Sequence, residues 1–427
     1  MGLLRHFPKT IWRRLPPFGG GIALVALAAS TGSFSLAIRC HAKTTTPVIS
    51  TGLKNLGNTC YMNAQLQCAF HIPAVRNIVL SSEGETRNEV TESPPDDSTL
   101  VEDSELSPQP SEASLATKEL FDGMVKAAET NAPAFLPRTF CIRLGIPPMV
   151  QQDSQEFWKL LLPAIGTEKL VDLYKGVYVD YISALDGSGR ERRRDEVFLD
   201  LSLDVSKSSD LISSLRQDFG EPELLSVSEG NGWRPEKGAD KVEAHKGSSL
   251  VAKGLPSILQ FHLKRFNYDW ETDKTTKINK RFTFPEDLDL SSVCSELNEG
   301  EADLVRYVLQ SVVVHVGEYG VGHYYSYVRP DMDSDSWYRF NDDVVKKVSF
   351  QEVIDDVYGG ATQRDDASAS TGDDTGFLRG LRRIFRRRKG VLFGWGGKTS
   401  NAYVVQYVRK DDLPFLYGRS TAGKDKI

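Results

Sequence analysis

A cysteine stands at the start of a helical pattern, and this placement restricts the local fold more than any other feature of the chain. Gly57 and Asn58 permit a tight turn just before it, and Thr59 is a residue type that caps helices. A thiol in a first helical turn meets the positive end of the helix dipole and free N–H groups, which favour the nucleophilic thiolate. We therefore predict a helix that begins at Cys60, with Cys60 as a reactive cysteine.

A small, unreactive core cysteine is the usual alternative for a free thiol. That reading fits Cys68, which lies inside the predicted helix. It does not suit Cys60, because Asn58 and Thr59 beside it are polar and are not typical of a core. The two cysteines are therefore predicted to differ, one reactive and one structural.

A nucleophilic cysteine needs a base, and the histidines differ in their sequence surroundings. His262 and His315 lie within apolar segments that resemble strand interiors, where a hydrogen-bonded structural histidine is the usual case. His323 instead follows the glycine-rich segment 317–322 and begins a strand-like segment. We therefore predict that His323 is the base.

The segment after His323 has the pattern of a β-hairpin. Residues 324–328 and 337–340 are strand-like, and a polar turn lies between them. The second strand ends at Asn341 and Asp342, whose side chains can orient an imidazole. This is the base-plus-orienting-group arrangement of a Cys-His-Asn or Cys-His-Asp site.

Together these segments resemble the catalytic domain of the ubiquitin-specific proteases, papain-like cysteine peptidases that remove ubiquitin from proteins. Five segments match the family's motifs in the family's order, which makes chance agreement implausible. Within the family the resemblance is closest to the herpesvirus-associated subtype and its relatives, judging by residues 317–358. The five matching segments are 52–67, 151–157, 257–266, 323–343 and 401–408.

The resemblance implies an α+β, papain-like fold with a helical thumb, β-stranded fingers and a β-sheet palm. The order of patterns along the chain agrees, since residues 116–175 contain helix-like runs and alternation takes over from Val177. Residues 197–205, for example, alternate with a period of two and predict one half-buried strand. The active site would lie where the thumb meets the palm.

The family's mechanism implies a role for each residue of the site. Cys60 would attack the carbonyl of ubiquitin's C-terminal glycine at the isopeptide bond. His323 would hold the thiol proton and pass it to the departing lysine amine. Asn341 would orient the imidazole, and Asp342 would share that task. Asn55 would bind the oxyanion together with the Cys60 backbone N–H.

The resemblance also implies a channel for the C-terminal tail of ubiquitin. Asp153 would meet the basic residues of the tail, although an acid at a helix start also has a purely structural role. Gln152 and Phe266 would line the same channel. Tyr324 would wall the narrow cleft that admits only the paired glycines of the tail.

No cofactor and no metal ion are predicted. Many relatives hold zinc in the fingers with two Cys-x-x-Cys pairs, and this chain has no such pair. Its five cysteines are scattered, which suits a reducing compartment better than a disulfide scaffold. They are Cys40, Cys60, Cys68, Cys141 and Cys294.

The expected partners are ubiquitin and ubiquitinated proteins, and we expect a monomer. Two other functions stay open at this point. The chain could bind ubiquitin without cleaving it, as an inactive scaffold. It could also be a protease for a ubiquitin-like modifier.

The predicted catalytic domain spans residues 51–412, between an N-terminal targeting or anchor segment at 1–50 and a C-terminal tail at 413–427. Two insertions interrupt it. Residues 82–114 hold ten acidic residues against one basic residue and four prolines, so we predict a disordered loop. Residues 361–399 combine a polar linker with a basic segment.

The basic segment at 377–389 places apolar residues on one helical face and carries seven cations. A solvated charge run is one interpretation. Contact with an anionic membrane surface is another, and a nuclear-import or nucleic-acid patch is a third. Of these specific contacts, nucleic acid is the least favoured.

Residues 15–38 carry no charge and are long enough to cross a bilayer. A membrane anchor, a secretory signal peptide and an organellar presequence all fit this segment. Ubiquitin conjugates face the cytosol or nucleus, so an import signal would separate the enzyme from its substrate. We therefore favour an anchor with a cytosol-facing catalytic domain, and a nuclear location stays open.

Overall fold

The computed structural model describes residues 49–81, 110–295, 297–360 and 399–418, and their helices and strands form the predicted α+β fold. Helices dominate the first part of this chain and strands dominate the rest, as the sequence pattern indicates. The helices are α1 (Cys60–Phe70), α2 (Pro73–Ser81), α3 (Glu112–Glu129), α4 (Arg138–Arg143), α5 (Ser154–Ala164), α6 (Glu168–Tyr174), α7 (Leu211–Phe219), α8 (Phe350–Val357) and α9 (Leu413–Leu416), with short 3₁₀ turns at Ala252–Gly254 and Ala302–Val305.

The strands belong to a palm sheet, a finger sheet and two short pairs. The strands are β1 (Gly52–Leu53), β2 (Ala134–Phe135), β3 (Gly176–Ala184), β4 (Glu191–Phe198), β5 (Leu201–Asp204), β6 (Glu223–Leu225), β7 (Ala244–Leu250), β8 (Ile258–Lys264), β9 (Phe266–Asp269), β10 (Lys274–Lys277), β11 (Asp287–Asp289), β12 (Arg306–Glu318), β13 (Val321–Val328), β14 (Trp337–Asn341), β15 (Val344–Val348) and β16 (Asn401–Arg409). In the eight-stranded palm sheet the order is β15-β14-β13-β12-β16-β8-β5, with β11 against β12, and the finger sheet runs β4-β3-β7-β6.

Helix α1 lies at the centre of the molecule, between the thumb helices and the palm sheet. All eleven of its residues are buried, and it packs against both α5 and β13. Edge-to-face ring pairs fix it within the thumb, with Tyr61 against Phe157 and Phe70 against Phe121. A helix that is buried on every side cannot shift without breaking the core, so its first residue has a fixed position.

The alternating segment 197–205 forms two strands instead of the single predicted strand. Strand β4 ends at Phe198 in the finger sheet, and β5 begins at Leu201 in the palm sheet. Asp200 between them is buried, accepts a hydrogen bond from Gln155 at 2.9 Å and lies 3.5 Å from the Lys159 ammonium. Periodicity does not reveal this change of sheet, because thumb residues distant in sequence supply the partners of Asp200.

Two predicted boundaries are wrong. Helix α3 begins at Glu112, and the Ser111 hydroxyl caps it by accepting from the N–H of Ser114, so the predicted disordered loop 82–114 extends too far. At the other end, α9 follows residue 412 and buries Leu416 completely, so the fold continues into the predicted tail.

Several predictions concern residues outside the described ranges. These are the N-terminal segment with its candidate anchor at 15–38, most of the acidic loop, and the basic segment 377–389. Within the described ranges, no helix combines the length and the apolar character that a bilayer crossing requires.

The palm depends on one fully buried arginine, and this leads to a stability prediction. Arg265 donates to the carbonyl oxygens of Ala402 at 3.2 Å, Ile278 at 3.2 Å and Lys280 at 2.7 Å. Arg265→Met leaves these carbonyls without their donor. We therefore expect the free energy of unfolding, measured with urea, to fall by about 3–5 kcal/mol.

The matched control is Arg192→Met, at an exposed position on β4, which should change the unfolding free energy by less than about 0.5 kcal/mol. Equal effects of the two substitutions would contradict a special role for Arg265.

Candidate active site

Cys60 is the first residue of α1, as predicted, and it is buried. Thr59 occupies the N-cap position, but its side chain does not cap the helix. Its hydroxyl instead accepts from the N–H of Leu56 at 3.0 Å and donates to the side-chain oxygen of Asn55 at 3.3 Å. The expected cap is therefore wrong, since Thr59 uses its hydroxyl to close the turn before the cysteine.

Asn55 organises that turn with its side-chain oxygen. This oxygen accepts from the N–H groups of Gly57 and Thr59, both at 3.0 Å. The amide nitrogen Nδ2 donates to a carboxylate oxygen of Asp342 at 3.0 Å. A primary amide has two N–H groups, so one remains for a ligand beside Cys60.

The predicted hairpin is present and carries His323 and Asn341 on adjacent strands, β13 and β14. The two side chains meet, with His323 Nε2 at 2.6 Å from Asn341 Oδ1. An amide oxygen can only accept, so Nε2 carries the proton and Nδ1 is the nitrogen left to face the Cys60 sulfur.

The protonation of His323 follows from competing effects. Burial alone would lower the pKa of the imidazole, but the Cys60 sulfur, Asn341 and Asp342 together outweigh burial and raise the pKa to about 9. The ring is therefore an imidazolium at neutral pH, which is the partner that a thiolate needs.

Asp342 joins the thumb to the palm. It lies in the two-residue turn between β14 and β15, with a positive φ of 50°. One carboxylate oxygen accepts from Asn63 at 2.8 Å, and the other accepts from Asn55 and lies 3.7 Å from His323 Nε2. Burial raises the pKa of this carboxyl, and its amide donors and His323 oppose that effect. The predicted pairing of Asp342 with the imidazole is consistent with this geometry.

Asp153 has both a structural contact and a place near the cleft. One of its oxygens caps α5 by accepting from the N–H groups of Gln155 and Glu156, at 2.8 and 3.1 Å. The other accepts from the Tyr403 hydroxyl. The hydroxyl of Ser154, the first residue of α5, donates to the Tyr61 carbonyl at 2.8 Å.

The other predicted channel residues form an aromatic cluster beside the site. Tyr324 is only 4% exposed, and its ring lies 4.7 Å from His315 and 5.6 Å from Tyr403. Phe266 is half-buried and packs on the rings of His315 and Tyr319. Tyr319 belongs to the turn before β13, the strand that carries His323, so this cluster supports the turn that leads to the base.

Gln151 lies near the nucleophile and was given no role from the sequence, whereas its neighbour Gln152 was predicted to line the ubiquitin-tail channel. The structure places Gln151 at the sulfur, with Nε2 at 3.8 Å from Cys60 Sγ. The side-chain nitrogen of Gln152 is buried and has no hydrogen-bond partner in the described structure. Adjacent glutamines look alike in a sequence, and only the loop conformation tells which one turns toward the cysteine.

The rejected nucleophile and bases are structural, as predicted. Burial raises the pKa of the Cys68 thiol to about 12, which keeps it protonated. Burial likewise lowers the pKa of His315 to about 3, and it lowers the pKa of His262, whose Nδ1 lies 3.0 Å from the Ser202 hydroxyl. Among the described residues, no group of three or more histidine, cysteine or carboxylate side chains is arranged to hold a metal ion.

A family model described as ubiquitin carboxyl-terminal hydrolase matches residues 51–407. The chain belongs to this family. Named relatives include ubiquitin carboxyl-terminal hydrolase 15 of Schizosaccharomyces pombe, 34% identical over 87% of this chain, and ubiquitin C-terminal hydrolase 12 of Arabidopsis thaliana, 31% identical over 84%. Ubiquitin carboxyl-terminal hydrolase 7 of Drosophila melanogaster is 28% identical over 87%.

The chain spans less than a third of the length of these relatives. The matched region covers 29%, 29% and 28% of the S. pombe, A. thaliana and D. melanogaster proteins, respectively. The residues matched by the family model include Cys60, His323 and Asn341, so the family assignment concerns the part of the chain that holds the candidate site.

The hydrogen bond from His323 to Asn341 leads to a pH prediction. In an NMR titration of the ring nitrogens, His323 should lose its proton near pH 9. Asn341→Ala should lower this pKa because the acceptor is lost, and Asn341→Asp should raise it because a carboxylate stabilises the imidazolium more strongly.

The same shift has a consequence for stability. The folded-state pKa of His323 lies above the ordinary value of 6.5. Its stabilising contribution to the free energy of unfolding is therefore complete below pH 6.5 and is lost as the pH rises through about 9. An unchanged titration in both Asn341 variants would contradict the role given to this contact.

Proposed function

We propose that this chain is a cysteine-type deubiquitinase that hydrolyses the bond after the C-terminal glycine of ubiquitin. The observation that carries the proposal is the meeting of three side chains. Cys60 opens a buried helix, His323 faces it as an imidazolium, and Asn341 holds the far nitrogen of the ring at 2.6 Å. This arrangement generates a thiolate nucleophile with a proton donor beside it.

In the first half of the reaction the Cys60 thiolate attacks the glycine carbonyl and forms a tetrahedral intermediate. His323 then gives its proton to the lysine amine as the carbon–nitrogen bond breaks, which leaves a thioester on Cys60. In the second half the neutral ring takes a proton from water. The resulting hydroxide equivalent attacks the thioester and releases ubiquitin.

The oxyanion that forms in both halves needs donors. The Cys60 N–H lies at the start of α1, and the second N–H of Asn55 lies on the turn just before it. The Asn55 side chain is held by four hydrogen bonds before any substrate binds. A preorganised donor of this kind stabilises the transition state without reorganisation.

Substrate binding is proposed to use the residues around the aromatic cluster. Asp153 and Gln152 on the thumb would line the channel for the ubiquitin tail, together with Phe266 on β9 and Tyr324 on the palm. Asp153 keeps a carboxylate at the start of α5, where a basic tail finds an opposite charge.

An inactive ubiquitin-binding scaffold is the main alternative. It is disfavoured because a scaffold needs neither a base nor an amide to orient it, and His323 and Asn341 meet at 2.6 Å. A protease for a ubiquitin-like modifier would use the same catalytic side chains, so only a substrate comparison separates it from a deubiquitinase.

Several finer assignments stay predictions. The names of the relatives do not support the herpesvirus-associated subtype. A monomer, a membrane anchor at 15–38 with a cytosol-facing domain, and contact between 377–389 and an anionic membrane are also proposals. They rest on the sequence pattern alone.

A ubiquitin probe with a C-terminal propargyl group tests the activity, because labelling requires both recognition and a reactive thiolate. Wild-type protein should form a covalent adduct, and the same probe on a ubiquitin-like modifier should react far less. Cys60→Ala should abolish labelling. The control Cys294→Ala should label normally, since burial raises the pKa of Cys294 to about 12. Labelling that survives Cys60→Ala would refute the nucleophile.

Asn55 variants test the oxyanion donor. Asn55→Ala should reduce kcat on a fluorogenic ubiquitin substrate by roughly 100- to 1000-fold. Asn55→Asp keeps the oxygen that accepts from Gly57 and Thr59 but removes the N–H donor, so it should also lose activity. A wild-type kcat in Asn55→Asp would mean that the residue serves only the turn.

A further inference from the structure

Gln151 reaches from the thumb to the palm across the candidate site. It lies in the loop between α4 and α5, and its carboxamide meets the backbone of Gly322 on β13. Its Nε2 donates to the Gly322 carbonyl at 2.7 Å, and the Gly322 N–H donates to its Oε1 at 3.3 Å. The carboxamide therefore binds Gly322 as a neighbouring peptide group would, one residue before His323.

The same nitrogen also contacts the nucleophile, at 3.8 Å from Cys60 Sγ. A primary amide nitrogen carries two N–H groups, so one can serve Gly322 and the other the sulfur. A single side chain thus touches the reacting sulfur and the backbone next to the base.

The edge of β13 explains why such a contact matters. Strand β14 pairs with β13 from Ser326 to Val328, so within the described structure it does not cover the stretch that carries His323. On the opposite edge, β12 pairs with that stretch, and Gly322 has no room for a side chain because a Cβ would lie 2.2 Å from His315 Nε2. Gln151 therefore supplies the contact that β14 does not make.

The loop that carries Gln151 is fixed on both sides. Before it, the Asn58 backbone N–H donates to the Pro148 carbonyl and the Asn58 side chain donates to the Met149 carbonyl, both at 2.7 Å. After it, Asp153 caps α5. Asn58 belongs to the turn before Cys60, so the loop, the turn and the nucleophile form one continuous unit.

We propose that Gln151 is a positioning residue that ties the His323 strand to the nucleophile and so keeps the Cys60–His323 pair assembled before substrate arrives. This inference deepens the proposed function and rests on it. Without the carboxamide, the backbone at the His323 end of β13 would be hydrogen-bonded along the β12 edge only, and the contact with the Asn341 side chain would be left to hold the imidazole. The imidazole would then spend less time at the sulfur.

The rate at which iodoacetamide alkylates Cys60 in the full chain tests the proposal without ubiquitin. This rate follows the fraction of sulfur held as thiolate beside the imidazolium. At about pH 6, Gln151→Ala should react about tenfold more slowly than wild type, and the difference should shrink at alkaline pH, where any thiol ionises. The control Gln351→Ala, an exposed glutamine on α8, should keep the wild-type profile.

Gln151→Glu separates positioning from simple space filling, because glutamate has almost the same shape. It can accept from the Gly322 N–H but, as a carboxylate, it donates to neither the Gly322 carbonyl nor the sulfur. We expect it to react at least as slowly as Gln151→Ala at about pH 7. Wild-type profiles in both variants would overturn the proposal, as would a wild-type profile in Gln151→Glu alone.

Ubiquitin cleavage gives the second readout. If Gln151 is a positioning residue, Gln151→Ala lowers kcat and leaves KM within about twofold. If Gln151 serves only to bind the ubiquitin tail, Gln151→Ala raises KM and leaves kcat unchanged. That second pattern would overturn the proposal. If wild type cleaves no ubiquitin, the proposed function fails, yet the alkylation profiles still decide the role of Gln151. If wild type cleaves and the alkylation profiles do not differ, only this inference fails.

Discussion

The half-buried carboxylate of Asp342 is the contact on which the rest of the site depends. It lies on the palm hairpin, yet two thumb amides, Asn55 and Asn63, donate to it at 3.0 and 2.8 Å. His323 lies 3.7 Å away. A charge that is partly removed from water is costly unless it is hydrogen-bonded, so this carboxylate favours the arrangement in which thumb and palm are docked. The Asp342 side chain thereby fixes the position of the oxyanion donor, Asn55, relative to the base, His323.

Much of this arrangement could be predicted from local sequence. The helix start at Cys60 and the hairpin that joins His323 to Asn341 follow from turn residues and periodicity, and the structure confirms both. The structural roles of His262 and His315 also follow, because each lies in an apolar strand. These features depend on residues close together in the chain, where propensity and spacing carry the information.

Most of what could not be predicted depends on partners that are distant in sequence. The contact of Gln151 with the sulfur is one example, because Asn58 fixes the loop that carries Gln151. The break between β4 and β5 is another, where Gln155 and Lys159 of the thumb meet Asp200. Thr59 is a local exception, because its hydroxyl bonds to Leu56 and Asn55 instead of capping the helix. In each case a contact that propensity and spacing do not encode prevails, which a single sequence does not reveal.

The central claim is that Asp342 makes the oxyanion donor and the base act as one unit. A double-mutant cycle on kcat/KM for ubiquitin cleavage, with Asn55→Ala, Asp342→Ala and the double variant, tests it most directly. If the two residues act through their shared hydrogen bond, the double variant should be about as slow as the slower single variant, with a coupling energy of about 2 kcal/mol. Losses that simply multiply would contradict the account, because they would mean that the two side chains work independently.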